Sequence, residues 1–310
     1  MKATLIESLA EGLPLMPQPY KDMALRTGLN EAAILDAIKE LQDKNIIRRF
    51  GVVVRHRELG WLSNAMCVWD IPDDKVTTIG QAARNYSFVT LCYSRRRAQP
   101  QWPYNFYCMI HGKDRATVNK QRALLATELE LDQYPHKILF STRCFKQRGA
   151  RHTQQSTPTA LTSGEDLDRV LINKLQHGIP VIERPFATLA AELKITEDTI
   201  VSRIQALLES GKLSRFGPMF NVEKFGGIFV LAAMKVPQER WTEVNNIVNS
   251  YPEVAHNYER EHALNMWFVV ATEKLEQNQA VIEDIQRRTG IEVLAFPKEK
   301  EFFLELKLET

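Results

Sequence analysis

The sequence predicts an α+β protein built as a tandem repeat, in which each copy has a helical part followed by a mainly β-stranded part. Three observations support this prediction. The chain contains a diverged copy of itself, the apolar spacing changes from helical to strand-like within each copy, and a polar segment separates the two copies.

The internal repeat is the strongest of these observations. Residues 5–51 align without a gap with residues 171–217, and fourteen of the 47 aligned positions are identical. The identical positions include Gly12/Gly178, Pro14/Pro180 and an Arg-Phe-Gly tripeptide at the end of each segment. A single long duplication indicates two fused, diverged copies, since a solenoid repeats a much shorter unit many times.

Each copy begins with a helical pattern. Apolar spacing predicts helices around residues 5–9, at 20–27 and at 31–44, with a tight turn between the second and the third. This arrangement is typical of a helix-turn-helix unit. Short β segments at 46–54 and 213–220 then complete a winged helix in each half.

The pattern changes near residue 60. Four strand segments follow, separated by helical stretches at 75–85 and 115–129, and the second half repeats this order. A β-α-β-β-α-β order predicts a ferredoxin-like domain. The predicted domains are a winged helix-turn-helix (1–60), a ferredoxin-like domain (61–147), a Thr-, Ser- and Gln-rich linker (148–164), a second winged helix-turn-helix (165–224) and a second ferredoxin-like domain (225–310).

Composition excludes several classes of protein. A net charge of +2, with 44% hydrophobic and 25% charged residues, is typical of a globular chain and not of a polycationic or disordered one. No apolar run is long enough for a membrane span, and Glu7 and Glu11 interrupt any signal peptide, so we expect a cytoplasmic protein. The four cysteines lie far apart in the sequence without a C-x-x-C motif, which predicts neither a zinc site nor a disulfide framework.

A winged helix followed by a ferredoxin-like domain resembles the leucine-responsive/asparagine-regulator family of transcription factors. The candidate recognition helices do not fit DNA, however. Residues 31–44 carry four acidic and two basic side chains, and residues 197–210 carry three acidic and one basic. Because DNA affinity comes largely from neutralising phosphates, we expect these helices to serve packing and dimerisation instead.

Arginine, aromatic and histidine residues recur at matching places in the two ferredoxin-like domains. Guanidinium groups bind carboxylates through two parallel hydrogen bonds, aromatic faces suit a flat ring, and histidine transfers protons near neutral pH or ligates iron. Such a set suits a planar macrocycle fringed with carboxylates. For any single residue, a solvated surface arginine or a core tryptophan is the simpler interpretation.

Two strings carry a more specific resemblance. The first string is CYSRRR at 92–97 with WPYN at 102–105, and the second is HNYER at 256–260 with the Asn and Trp of NMW at 265–267. Each string follows an Arg-Phe-Gly wing. Together they resemble the siroheme decarboxylases. The resemblance covers essentially the whole chain and is to the fused, two-half form of that family. It implies removal of the C12 and C18 acetate carboxyl groups of siroheme in heme d1 biosynthesis.

The resemblance also implies no organic cofactor, because the iron arrives with the substrate, and a homo-oligomer or a complex with paralogous subunits. We expect catalytic roles for His111, Tyr93 and His256, with His111 or His256 as a possible ligand of the siroheme iron. The expected substrate-binding residues are Arg48, Arg49, Arg95, Arg97, Trp102, Tyr104, Asn105, Arg215, Tyr258, Arg260, His262, Asn265 and Trp267.

The two halves are not equivalent in this set. His111 aligns with Ala271, and His256 aligns with Leu91. We therefore expect unequal catalytic roles, with the more complete site in the first half. A tetrapyrrole-sensing regulator and a non-catalytic partner subunit are the alternatives.

Overall fold

The computed structural model describes residues 2–10, 12–55, 60–147, 165–221, 224 and 226–304. The predicted linker and His56 lie outside these residues. The chain divides into two compact units. The first contains described residues of the ranges 1–59 and 149–225, and the second contains those of 60–148 and 226–306.

The first unit joins the two winged helices. Its elements are α1 (Lys2–Ala10), α2 (Pro19–Thr27), α3 (Glu31–Asp43) and β1 (Ile47–Val54) from the first copy, and α6 (Glu165–His177), α7 (Ala187–Leu193), α8 (Glu197–Glu209) and β6 (Leu213–Phe220) from the second. The two wings, β1 and β6, form an antiparallel pair in which Gly51 faces Gly217. A single hydrophobic core contains residues of both copies.

The third helix of each copy begins at a side-chain cap. The side chain of Asn30 accepts a hydrogen bond from the backbone N–H of Ala33 at 2.6 Å, and Thr196 accepts one from Thr199 at 3.1 Å. Asn30 and Thr196 occupy the same position in the repeat, and both satisfy a donor that the helix leaves open.

The identical Arg-Phe-Gly and Gly-x-Pro motifs contact one another across the two copies. A Cβ on Gly51 would lie 2.4 Å from the Leu175 carbonyl oxygen, and one on Gly217 would lie 3.2 Å from the Cα of Gly12. The backbone N–H of Ile179, next to Gly178, donates to the Phe50 carbonyl at 2.9 Å. Close backbone approach therefore explains why both motifs recur.

The second unit joins the two ferredoxin-like domains into one closed eight-stranded barrel. Its elements are β2 (Ser63–Trp69), α4 (Asp73–Ala83), β3 (Val89–Arg95), β4 (Phe106–Gly112), α5 (Arg115–Glu128), β5 (His136–Gln147), β7 (Ile228–Met234), α9 (Trp241–Ser250), β8 (Val254–Arg260), β9 (Met266–Thr272), α10 (Leu275–Thr289) and β10 (Val293–Leu304). The barrel order is β10-β3-β4-β2-β5-β8-β9-β7. Both domains thus have the β-α-β-β-α-β order that the sequence predicts.

Two long strands close the barrel. The first part of β5 pairs with β2 and its second part with β8, while β10 pairs first with β7 and then with β3. Each long strand therefore begins in the sheet of its own half and ends in that of the other.

Side chains alternate between two environments along these strands. Cys108 and Ile110 of β4 pack with the helices, whereas Tyr107 and Met109 belong to a separate cluster inside the barrel. His111 has the same parity as Tyr107 and Met109, so its side chain faces the barrel interior.

The structure differs from the sequence prediction at the start of one helix, and it shows one contact that the sequence did not indicate. Helix α4 begins at Asp73, two residues earlier than predicted, because the chain turns into the helix directly after Pro72. The Sγ atoms of Cys92 and Cys108 lie 3.5 Å apart despite their separation in the sequence, since β3 and β4 place these residues opposite each other. None of the four cysteines, all of which are described, forms a disulfide bond.

No helix among the described residues is long and apolar enough to cross a membrane.

Candidate functional site

Aromatic side chains cluster inside the barrel. The ring of Trp102 lies 5.1 Å from that of Trp267, 4.8 Å from Tyr104 and 5.4 Å from His262, and Trp267 stacks on Phe296 at 5.4 Å. Trp102 belongs to the loop between β3 and β4, so the first half inserts this side chain against the second half. The structure thus brings four of the predicted residues together, two from each half.

Arg95 and Arg260 occupy equivalent positions at the ends of β3 and β8. Nη1 of Arg95 donates to the Phe296 carbonyl at 3.0 Å, and Nη1 of Arg260 donates to the Leu139 carbonyl at 3.1 Å. Phe296 lies opposite Leu231 and Leu139 lies opposite Met66, which are matching positions of the two halves. Each arginine therefore binds a strand of the other half in the same way.

Both guanidinium groups lack an acidic partner. Arg95 is 9% exposed and Arg260 is 7% exposed, and no carboxylate of the described residues forms an ion pair with either. The guanidinium of Arg95 lies 5.1 Å from the Tyr93 ring centroid, and that of Arg260 lies 5.7 Å from the Tyr258 centroid. Burial lowers the pKa of both arginines, that of Arg260 to about 10. A buried charge without a counter-charge favours an anionic ligand.

His111 lies on β4 in a polar group formed by three strands. Its Nδ1 is 3.0 Å from Oγ1 of Thr90 on β3, and Asn64 of β2 lies directly opposite it. The Thr90 hydroxyl is also 3.2 Å from the Met109 carbonyl oxygen, which can only accept. A hydroxyl that satisfies both contacts accepts from Nδ1–H of His111, so Nε2 carries the lone pair of the neutral ring. This nitrogen suits proton transfer.

The two histidines of the second half have different surroundings. The buried Nδ1 of His256 has no hydrogen-bond partner among the described residues, and its ring stacks with that of Tyr258 at 6.2 Å. Burial lowers the pKa of His256, and burial followed by the nearby Lys137 lowers that of His262. Nδ1 of His262 accepts from the Leu264 backbone N–H at 3.0 Å, which leaves the proton of the neutral ring on Nε2.

Asn105 and Asn265 hold backbone segments in equivalent ways. Asn105 accepts from the Ile71 N–H and donates to the Ile71 carbonyl, both at 2.9 Å. Asn265 makes the same pair of bonds to Val236, at 2.8 and 2.9 Å. These backbone contacts explain why asparagine occurs at both positions, so a role in ligand binding is not needed to explain it.

Arg97 lies beside a polar cavity outside the barrel interior. The cavity has a volume of about 380 Å³ and is also lined by Asp73, Ser94 and Arg96. The Arg97 guanidinium donates to Asp70 at 2.9 Å and to Asp73 at 2.6 Å. Because these carboxylates already neutralise Arg97, we place the candidate site in the barrel interior and not in this cavity.

Arg48, Arg49 and Arg215 belong to the first unit, and the other predicted residues belong to the second. They lie on the paired wings β1 and β6. Arg49 packs against Gly178, where an added Cβ would lie 3.6 Å from the Cβ of Arg49. Burial lowers the pKa of Arg215.

Sequence reasoning missed three residues of the barrel interior. Tyr107 accepts a hydrogen bond from Nε1 of Trp102 at 2.8 Å, and its ring centroid is 5.8 Å from the Arg95 guanidinium. Its alignment with Trp267 in the repeat was a usable signal. Asn64 and Thr90 carry no motif, and only the strand register places them beside His111.

Two family models match the chain. The AsnC-like ligand binding domain matches residues 58–146 and 226–302, and the siroheme decarboxylase NirDL-like HTH domain matches residues 2–48 and 168–213. Each model therefore matches once in each half, which agrees with the duplication in the sequence.

Individual relatives carry the same family name. The chain is 46% identical over 142 residues to the siroheme decarboxylase NirG subunit of Pseudomonas aeruginosa, covering 97% of that protein and 46% of this chain. It is 42% identical over 146 residues to the NirDL subunit of Paracoccus pantotrophus, covering 45% of that protein and 47% of this chain.

The fold of the whole chain has a solved counterpart. The crystal structure of the siroheme decarboxylase NirDL superposes with a TM-score of 0.70 at 19% identity, over 100% of this chain and 94% of the other. A second structure of NirDL, in complex with an iron-uroporphyrin III analogue, superposes equally well. With the duplicated winged helices and the barrel, these matches show that the chain belongs to the siroheme decarboxylase family and carries an AsnC-like ligand-binding domain in each half.

Proposed function

We propose that this chain is a siroheme decarboxylase of heme d1 biosynthesis. It removes the carboxyl groups of the C12 and C18 acetates of siroheme and leaves methyl groups, which gives 12,18-didecarboxysiroheme. The family membership supports the reaction, and one NirDL structure is a complex with an iron-uroporphyrin III analogue.

The observation that carries this proposal is the pair of buried arginines without acidic partners. Siroheme carries acetate and propionate groups around its ring, and these supply the missing negative charge. Arg95 and Arg260 bind carboxylates that do not react and so fix the position of the ring. The aromatic side chains around Trp102 and Trp267 offer it apolar faces.

The reaction replaces a carbon–carbon bond with a carbon–hydrogen bond. The bond between the acetate methylene and its carboxylate breaks, CO2 leaves, and a protonated ring position takes up the electron pair. The methylene carbon then receives one proton and becomes a methyl group, and the ring position releases the proton that it carried, so one proton is consumed for each CO2 that leaves. His111 delivers this proton through Nε2, because Thr90 holds the other ring nitrogen: Nε2 first takes up a proton from water with its lone pair and then passes it to the carbon.

The proposed reaction needs no organic cofactor, since the iron belongs to the substrate. Relatives named NirG, NirL and NirH subunits indicate that members of this family occur as subunits of complexes. We propose that this chain also assembles, either with itself or with such paralogues.

The test is anaerobic incubation of the purified chain with siroheme, followed by mass spectrometry of the tetrapyrroles. We expect successive loss of one and two CO2. His111→Ala is expected to lower turnover by about 10²–10⁴-fold and to retain siroheme binding. Unchanged siroheme with the wild-type chain and with chain supplemented by a NirG-type subunit would contradict the function. Full conversion by His111→Ala would exclude His111.

A tetrapyrrole-sensing regulator is not favoured. The basic side chain within α8, Arg203, forms a two-pronged ion pair with Asp168 of α6, at 2.9 and 2.7 Å. Asp168 therefore already neutralises this charge.

A further inference from the structure

We propose that Arg260 of the second half and His111 of the first half serve the same reaction centre, whereas the equivalent centre at Arg95 lacks the polar group formed by His111, Thr90 and Asn64. This inference rests on the proposed decarboxylation. It makes the centre that contains His111 depend on both halves of the chain.

The first step of the argument is where the Arg260 side chain ends. Besides its bond to the Leu139 carbonyl of β5, its Nη2 lies 3.8 Å from Sδ of Met109 on β4. Both contacts belong to the first half. The Nε of Arg260 is buried and has no hydrogen-bond partner among the described residues, so this guanidinium has a donor available for a ligand.

The second step is the position of His111 relative to Met109. The two residues are separated by Ile110, so their side chains point to the same, inner face of β4. Residues two apart on a strand are about 7 Å apart at Cα. A ligand carboxylate bound by Arg260 over Met109 therefore places neighbouring groups of the ligand beside His111.

The third step is the comparison with the other centre. Arg95 reaches the Phe296 carbonyl of the second half in the same manner, but the polar group around His111 has no equivalent there. The register of the strands matches Asn64 to Phe229 and His111 to Ala271, and the repeat matches Thr90 to Ala255. All three polar side chains are thus replaced by apolar ones. The Arg95 centre contains different groups: the Tyr93 ring lies 5.1 Å from the guanidinium, and His256 lies opposite Val269, the counterpart of Met109. The two centres therefore differ in their chemistry, and only the one with Arg260 contains His111.

A double-mutant cycle on siroheme turnover tests the pairing. Arg95→Gln is the matched control for Arg260→Gln, because the two arginines are equally buried and make the same cross-half bond. We expect Arg260→Gln to lower kcat by at least about tenfold in the wild type and by less than about threefold in the His111→Ala background, since positioning matters only when His111 donates. Arg95→Gln is expected to raise KM, by the same factor in both backgrounds.

If the losses of kcat caused by Arg260→Gln and by His111→Ala simply multiply in the double variant, the two residues act independently and the proposal is wrong. A cycle in which Arg95, and not Arg260, depends on His111 would also overturn it. If Arg260→Gln fails to fold, Arg260→Lys replaces it, because lysine keeps the charge and loses the two-pronged geometry.

A second measurement is independent of turnover and therefore separates failure of this inference from failure of the proposed function. In protein with ¹³C-labelled histidine, the ring signal of His111 is assigned by its loss in His111→Ala. We expect Arg260→Gln to shift this signal and Arg95→Gln to leave it within its linewidth. A signal that responds only to Arg95→Gln, or to neither variant, would place Arg260 away from His111 even if siroheme is converted.

Discussion

Buried arginine is costly unless a partner compensates its charge. Arg95 and Arg260 each bond to a backbone carbonyl and lie near an aromatic ring, and neither forms an ion pair with a carboxylate of the described residues. Single residues of this kind were recognisable in the sequence because they recur in both halves. The sequence did not show that these arginines bond to strands of the opposite half, because those bonds depend on how β5 and β10 close the barrel. Asn64 and Thr90 were missed for the same reason, since neither belongs to a motif.

Replacing Arg95 tests its role as a carboxylate-binding residue. Arg95→Ala is expected to weaken siroheme binding by about 10–100-fold, because a charge-assisted hydrogen bond contributes about 1.5–3 kcal/mol. Arg95→Lys is expected to recover part of this loss, since lysine restores the charge but not the fork. An anaerobic absorption titration measures the affinity. Arg143→Ala, which removes an exposed partner of Glu259, is the control. Unchanged affinity of Arg95→Ala would contradict the assignment.

His256 makes stability depend on pH. Its lowered pKa means that the unfolded chain takes up a proton at a pH where the native ring remains neutral. Stability is therefore lost as the pH falls below about 6.5, the ordinary value for histidine. His256→Leu, which copies Leu91 of the first half, is expected to reduce this slope of the unfolding free energy between about pH 6.5 and 5. Chemical unfolding at several pH values measures it, and an unchanged slope would show that His256 does not contribute.

The order and type of the elements followed from apolar spacing, and the buried faces of α3 and α8 agree with it. Ile34, Ile38 and Leu41 are buried in α3 at the predicted spacing. The pairing of strands from different halves could not be predicted, because nothing in the sequence of β5 shows that its second part leaves the sheet of its own half. The same limit applies to Cys92 and Cys108, which only the register of β3 and β4 brings together.

The wing motif gives a prediction for a whole element. Gly51→Ala is expected to destabilise the first unit by about 1–3 kcal/mol, because the new Cβ would meet the Leu175 carbonyl at 2.4 Å and the backbone there has little room to move. Gly28→Ala is the control. Its site is open, so only the cost of a left-handed backbone, about 1 kcal/mol, applies. Thermal unfolding compares the two variants, and an equal loss would show that the wings tolerate the extra carbon.

At the scale of the whole molecule, both helix-turn-helix units have a candidate recognition helix with net negative charge. We expect only weak, salt-sensitive and sequence-independent DNA binding, because α3 and α8 each carry more acidic than basic side chains. Gel-shift titrations at two salt concentrations measure this. Tight binding to a defined sequence at physiological salt would contradict it and revive the regulator interpretation.

The closure of the barrel by β5 and β10 has an evolutionary consequence. In a symmetric dimer of identical chains, every substitution appears twice, so both centres change together. Here the two copies lie on one chain and still share one barrel, so a substitution alters a single centre. Selection could therefore retain Asn64, Thr90 and His111 in one copy while their counterparts drifted to apolar residues that favour folding. Fusion thus permitted the division of labour.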